Sequence, residues 1–89
     1  DRLLHVETRY AVSRGSVRIH LLEHPARLHL VLQDSQGTPV GAKDISPNEA
    51  TVDFTLPAVA TDETFVLVAG FQQGTGEQTV LQPLIVHAR

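Results

Sequence analysis

Apolar and polar residues alternate with a period of two along nearly the whole chain. Leu4, Val6, Thr8, Tyr10 and Val12 interleave with His5, Glu7, Arg9 and Ala11. Val17, Ile19 and Leu21 interleave with Arg18 and His20, and Leu28, Leu30 and Leu32 with His29 and Gln33. The same beat returns in Val52, Phe54 and Leu56, and again in Phe65, Leu67, Ala69 and Phe71. Successive side chains of an extended chain point to opposite faces, so each run predicts a strand with one face on a core. Turn-forming residues fall between the runs: Ser13-Arg14-Gly15, Glu23-His24-Pro25-Ala26, Asp34-Ser35-Gln36-Gly37, Ser46-Pro47-Asn48 and Gln72-Gln73-Gly74-Thr75-Gly76. This spacing predicts a small all-β antiparallel sandwich of about seven short strands, with residues 1–89 forming one domain. Ala58 to Asp62 is expected to make a single helical turn. Pro39 places the strand holding Val40 and Ala42 at a sheet edge, and Pro83 is expected to break or bend the last run, Thr79 to His87.

Two stretches depart from simple alternation. Phe65-Val66-Leu67-Val68-Ala69 is apolar on both faces, and Val80-Leu81-Gln82-Pro83-Leu84-Ile85-Val86 is nearly so. Val31 also stands where a polar residue belongs, between Leu30 and Leu32. A half-solvated antiparallel sheet has no need of this surplus. It predicts a second apolar surface, covered by the chain's own loops or offered to a partner as a groove. Val31, Val66, Val68 and Leu81 are the candidate partner-binding residues.

Composition narrows the function. A net charge of −3 and a pI near 5.9 speak against a general nucleic-acid binder. The sequence holds no Cys, so no disulfide and no thiolate metal site is expected. It also holds no Met, which reads as a processed or trimmed chain starting at Asp1, with any signal peptide or lipid-anchor Cys upstream. Charge is uneven along the chain. Residues 1–29 carry five arginines against three carboxylates, whereas residues 30–89 carry two cations against seven carboxylates. That pattern reads either as a basic face toward an acidic partner or as ordinary solvated strand faces.

Candidate chemistry is sparse. His20-Leu21-Leu22-Glu23-His24 matches the H-x-x-E-H pattern, which in a helix sets two histidines on one face around Zn²⁺. Here Val17-Ile19-Leu21 reads as a strand and Pro25 follows at once, so the residues fit a strand end and a turn. His5, His20 and His29 fall on the polar phase of their strands, where adjacent strands bring two of them together or leave each exposed. No nucleophile elbow, phosphate loop or carboxylate pair accompanies them. The expectation is a chain that is not an enzyme, with no catalytic residues, no metal and no cofactor.

The stretches Ala26-Arg27-Leu28-His29-Leu30-Val31-Leu32-Gln33-Asp34, Val52-Asp53-Phe54-Thr55-Leu56-Pro57 and Phe65-Val66-Leu67-Val68-Ala69 resemble the small β-sandwich lipoproteins of the YbaY and YscW type. Val6 to Ile19 correspond to that family's opening strands. YscW-type members are pilotins, outer-membrane lipoproteins that escort secretin subunits of type III secretion systems. The resemblance implies a non-enzymatic chaperone that binds the C-terminal segment of a secretin subunit and assists its targeting to the outer membrane. It also implies a location at the periplasmic face of that membrane, through a lipid anchor not present in this chain. The YbaY side of the family implies instead an envelope lipoprotein of accessory role.

Overall fold

A computed structural model describes residues 3–88 of the chain. Asp1, Arg2 and Arg89, which enter the charge asymmetry, lie outside the described residues. The described residues form eight strands: β1 (Leu4–Val6), β2 (Ala11–Val12), β3 (Ser16–Leu21), β4 (Ala26–Gln33), β5 (Pro39–Asp44), β6 (Thr51–Thr55), β7 (Glu63–Gln73) and β8 (Gly76–His87). They build two sheets, one of three strands in the order β1-β3-β6 and one of five in the order β2-β8-β7-β4-β5. The architecture is the all-β sandwich that the alternation predicts. All strand pairs are antiparallel except β2 with β8.

The core forms where the apolar phases of the two sheets meet. Leu4, Val17, Ile19, Val52 and Phe54 come from the smaller sheet, and Leu28, Leu30, Leu32, Phe65, Leu67, Ala69 and Val86 from the larger. In β6 the beat is clean, with Val52 and Phe54 buried between exposed Thr51, Asp53 and Thr55. Each buried side chain of this size contributes roughly 1.5–3 kcal/mol. Among the described residues no polar or charged side chain is buried, so the interior between the two layers is wholly apolar.

Turn chemistry appears where the sequence places it. Asp34 Oδ1 accepts hydrogen bonds from the backbone N–H of Gln36 and of Thr38, each at 2.9 Å, and Gly37 closes the turn at φ 84°. Gln73 pairs with Gly76 around the two-residue turn Gly74-Thr75. Gly74 at φ 63° supplies the positive φ that such a hairpin requires in its first turn position.

Three expectations need correction. The run Leu4 to Val12 is not one strand: β1 pairs with β3 in the smaller sheet, whereas β2 pairs with β8 in the larger. Crossing between layers resets the phase, so Ala11 is buried and Tyr10 is exposed, the reverse of continued alternation. This division raises the count to eight strands. Ala58 to Asp62 forms no helical turn, being an irregular connection between β6 and β7. Its backbone is tied across the chain instead, with the Val59 N–H donating to Ser13 Oγ at 2.9 Å.

Pro83 does not break β8. The register with β7 runs without a shift from Glu63↔Val86 to Gln73↔Gly76. The two-residue hairpin makes Gln73 and Gly76 a hydrogen-bonded pair, so Gln78, Val80, Gln82, Leu84 and Val86 bond to β7 in turn. Pro83 falls between these positions, and its missing N–H faces the outer edge of the sheet, where no ladder bond is lost. The expected edge position of the strand with Val40 and Ala42 does hold, since β5 ends the five-stranded sheet.

Candidate functional site

The outer face of the five-stranded sheet gathers the four candidate residues. Val31 of β4 is opposite Val68 of β7, and Val68 is opposite Leu81 of β8, so the three form one row across three strands. Ala42 of β5 extends the row on the far side of Val31. Val66 begins the next row, between Gln33 and Pro83. Their neighbours Leu30, Leu32, Phe65, Leu67 and Ala69 point the other way and are core. Val31, Val66 and Val68 are half-buried, whereas Leu81 is 61% exposed.

These residues make a continuous apolar seam on the outer face of the sheet, with Leu81 as its exposed end. Among the described residues no loop buries Leu81. Ile85, 55% exposed, belongs to the same outward phase of β8 as Leu81 and Pro83, and the selection of candidate residues missed it. Period-two counting from Leu81 through the apolar run Val80 to Val86 was the signal that reaches it. An open depression of about 570 Å³ lies beside this end of β8, lined by Thr8, Arg9, Ala11, Thr64, Leu84 and His87 together with Pro83 and Ile85. None of the four candidate residues lines it.

The outer face of the smaller sheet is polar. Arg18 of β3 is opposite Asp53 of β6, and its Nε donates to Asp53 Oδ1 at 2.9 Å while Nη2 donates to Oδ2 at 3.3 Å. The hydrogen bond from Arg18 holds the Asp53 carboxyl below the usual carboxylate range, and the same pair raises Arg18 above its ordinary value. One arginine of the basic N-terminal third is thereby matched by a carboxylate of the acidic remainder. Both side chains are more than half exposed, so the pair is screened and fixes strand register more than it stabilises.

His5 is opposite His20, so the structure brings together two of the three strand histidines. His20 Nδ1 lies 3.7 Å from Glu7 Oε2. His29 sits apart on the larger sheet, its ring over Gly70. His24 lies beyond the end of β3, and its Nε2–H donates to the Glu49 carbonyl at 2.6 Å. The H-x-x-E-H residues thus form a strand end and a turn. Among the described residues no group of three His, Cys, Asp or Glu side chains is placed to hold a metal ion.

A third cluster clamps the C-terminal end of β8. The Tyr10 and His87 rings stack with centroids 4.1 Å apart and planes 8° from parallel. His87 Nδ1 lies 3.3 Å from Asp62 Oδ2, and the backbone N–H of Ala88 donates to Asp62 Oδ1 at 2.8 Å. These two bonds, that from Ala88 first, lower the Asp62 pKa. The cluster ties residue 10, the connection before β7 and the end of β8 into one knot, and it uses His87 for structure.

The geometry defines a class: a two-layer β-sandwich of three plus five strands with one polar and one apolar outer face. Within that class the chain is similar to a fibronectin type III domain of the human collagen α1(XX) chain, determined in solution. The TM-score is 0.64 at 19% sequence identity, over 93% of this chain and 76% of that one. At this identity the likeness is one of fold. No family model and no curated protein matches this chain.

Proposed function

We propose that this chain is a non-catalytic binding module whose contact surface is the outer face of the five-stranded sheet. The observation that carries the reading is the in-register row Val31–Val68–Leu81, left on the surface of a domain whose core is already complete. Burial of one Leu- or Val-sized side chain is worth roughly 1.5–3 kcal/mol. A row of this length with Val66 and Ile85 beside it supports a micromolar complex after the costs of association. The similarity to a fibronectin type III domain agrees with a non-enzymatic role, because such sandwiches recur in many cell-surface domains without sequence similarity. Fold alone does not choose among their partners.

The pilotin form of this reading names an occupant, the C-terminal segment of a secretin subunit, and with it an outer-membrane location through an upstream lipid anchor. Its support is the residue pattern of three stretches. Leu28, Leu30, Leu32, Val52, Phe54, Leu56, Phe65, Leu67 and Ala69 in those stretches are all core residues. Any sandwich of this shape needs such positions apolar, so the pattern speaks for the fold more strongly than for the partner. The general binding-module reading therefore takes precedence, with the pilotin and the accessory envelope lipoprotein as its particular forms.

The test is a titration of a secretin C-terminal peptide into the isotope-labelled chain, followed by amide and methyl shifts. The pilotin form expects shifts centred on Val31, Val66, Val68 and Leu81, and at least tenfold weaker binding by the folded Val68→Asp variant. No shift removes the pilotin form. Binding that Val68→Asp leaves unchanged removes this face as the site.

A further inference from the structure

β8 is 12 residues long, yet on its outer side β2 pairs only with Val86 and His87. By the hairpin parity, the backbone groups of Glu77, Thr79, Leu81 and Pro83 face an edge with no strand beside them, β2 beginning only at Ile85–Val86. Protein sheets blunt such edges with charge, proline, bulges or inward-pointing lysine. The opposite edge, β5, has these devices: Pro39 begins it, the register with β4 shifts at Leu32/Gln33, and Lys43 is opposite the core residue Leu30. β8 has fewer. From Thr79 to Val86 it carries no charged residue, and its register with β7 has no shift. Pro83 is the blunting device that remains, and beside it Leu81 and Ile85 stand 61% and 55% exposed.

We propose that the β8 edges of two copies of this chain pair antiparallel about a two-fold axis at Leu81, joining their five-stranded sheets into one. A two-fold contact requires a self-complementary patch, and the β8 edge is one. Leu81 meets Leu81 of the second copy, and Thr79 meets Pro83, so no like charges oppose one another in this stretch. The Thr79 N–H, which has no ladder partner in the monomer, reaches the Pro83 carbonyl of the second copy. In the monomer the Gln82 side-chain amide donates to that carbonyl at 3.2 Å, a local substitute for a neighbouring strand. The row Val31–Val68–Leu81 then continues into its symmetry mate, and the exposed Leu81 is covered. An uncharged edge offers a charged foreign strand no electrostatic gain, whereas a second copy brings a matched uncharged one. A single strand pair is smaller than a standard interface, so the dimer is weak, with a dissociation constant on the order of 100 µM. This pairing shares Leu81 with the proposed contact face but does not depend on any foreign partner binding there.

The experiment is sedimentation velocity on the 89-residue chain from about 10 µM to about 1 mM, a range that brackets that constant, with hydrogen exchange measured at both ends. Expected are a shift from monomer to dimer and slower exchange of the Thr79 and Leu81 amides at high concentration. Leu81→Lys, which sets two like charges at the axis, is expected to weaken the dimer at least tenfold. Pro83→Thr, which restores an edge donor, is expected to tighten it. Core amide exchange in each variant checks that it is folded. A monomer at every concentration, a dimer indifferent to both substitutions, or a dimer without protection at Thr79 and Leu81 would each overturn the proposal.

Discussion

The ring of Phe54 lies so close over Gly41 that a Cβ added there would stand 2.8 Å from Cδ1 and 3.3 Å from Cε1. Phe54 belongs to the smaller sheet and Gly41 to an edge strand of the larger, so this contact closes the sandwich at that side. A similar crowding exists at Gly70, where a Cβ would stand 2.6 Å from Cε1 and Nε2 of His29. The two differ in what can move. Phe54 is 3% exposed and locked among core neighbours, whereas His29 is exposed.

The shorter distance is therefore expected to be the cheaper one. Gly41→Ala is expected to cost about 1–3 kcal/mol, the usual penalty for overpacking a filled core. Gly70 is itself buried beneath the exposed His29 ring, and Gly70→Ala is expected to cost less, about 1 kcal/mol or below, because the imidazole swings outward to admit the methyl. Urea unfolding of both variants measures the difference. Equal losses would show that the His29 ring is held as firmly as Phe54.

Position on one face or the other of the larger sheet sets the cost of truncation. Phe65→Ala removes a wholly buried ring between the sheets and is expected to cost about 3–5 kcal/mol. Leu81→Ala removes a side chain already 61% exposed and is expected to lie within about 0.5 kcal/mol of the parent. Unfolding midpoints compare the two directly. A large loss from Leu81→Ala would mean that this residue is covered in solution.

Acid stability follows from three carboxylates, all held below their ordinary values. Glu49 accepts from the Ser46 backbone N–H and, secondarily, its hydroxyl. Asp53 accepts from Arg18, and Asp62 from the Ala88 N–H and then His87. Each group binds a proton less readily folded than unfolded. Its contribution is therefore complete above the unfolded carboxylate range, near pH 4, and is lost as pH falls through the lower folded values. The melting temperature is expected to drop on acidification below about pH 4. The Glu49→Gln, Asp53→Asn and Asp62→Asn triple variant is expected to show a shallower drop, and an equal slope would assign acid sensitivity to other groups. All three sites are exposed, so salt is expected to weaken the Arg18–Asp53 part.

Much of the fold is legible in the chain because strand periodicity is local. The beats of Leu28-Leu30-Leu32, Val52-Phe54-Leu56 and Phe65-Leu67-Ala69 each report which side meets the core, whatever that core is. The turns at Asp34–Gly37 and Gly74-Thr75 are equally local, since backbone φ and short side-chain hydrogen bonds decide them. The surplus apolar residues Val31, Val66, Val68 and Leu81 are visible for the same reason: they fall on the wrong beat.

Other features depend on which strand lies beside which. The run Leu4 to Val12 reads as one strand until the layer change between β1 and β2 appears, because alternation carries no mark of the sheet it serves. Pro83 reads as a break until the hairpin register turns its nitrogen to the open edge. The pairing of Arg18 with Asp53, 35 residues apart, has no local sign. By itself the sequence determined the class of the fold, its turns and the excess of apolar side chains, since each is set by neighbours along the chain. Only the tertiary structure decided that Val31, Val68 and Leu81 share one row and that β8 runs along a bare edge until β2 meets its last residues, because register and strand order are settled by contacts between segments far apart.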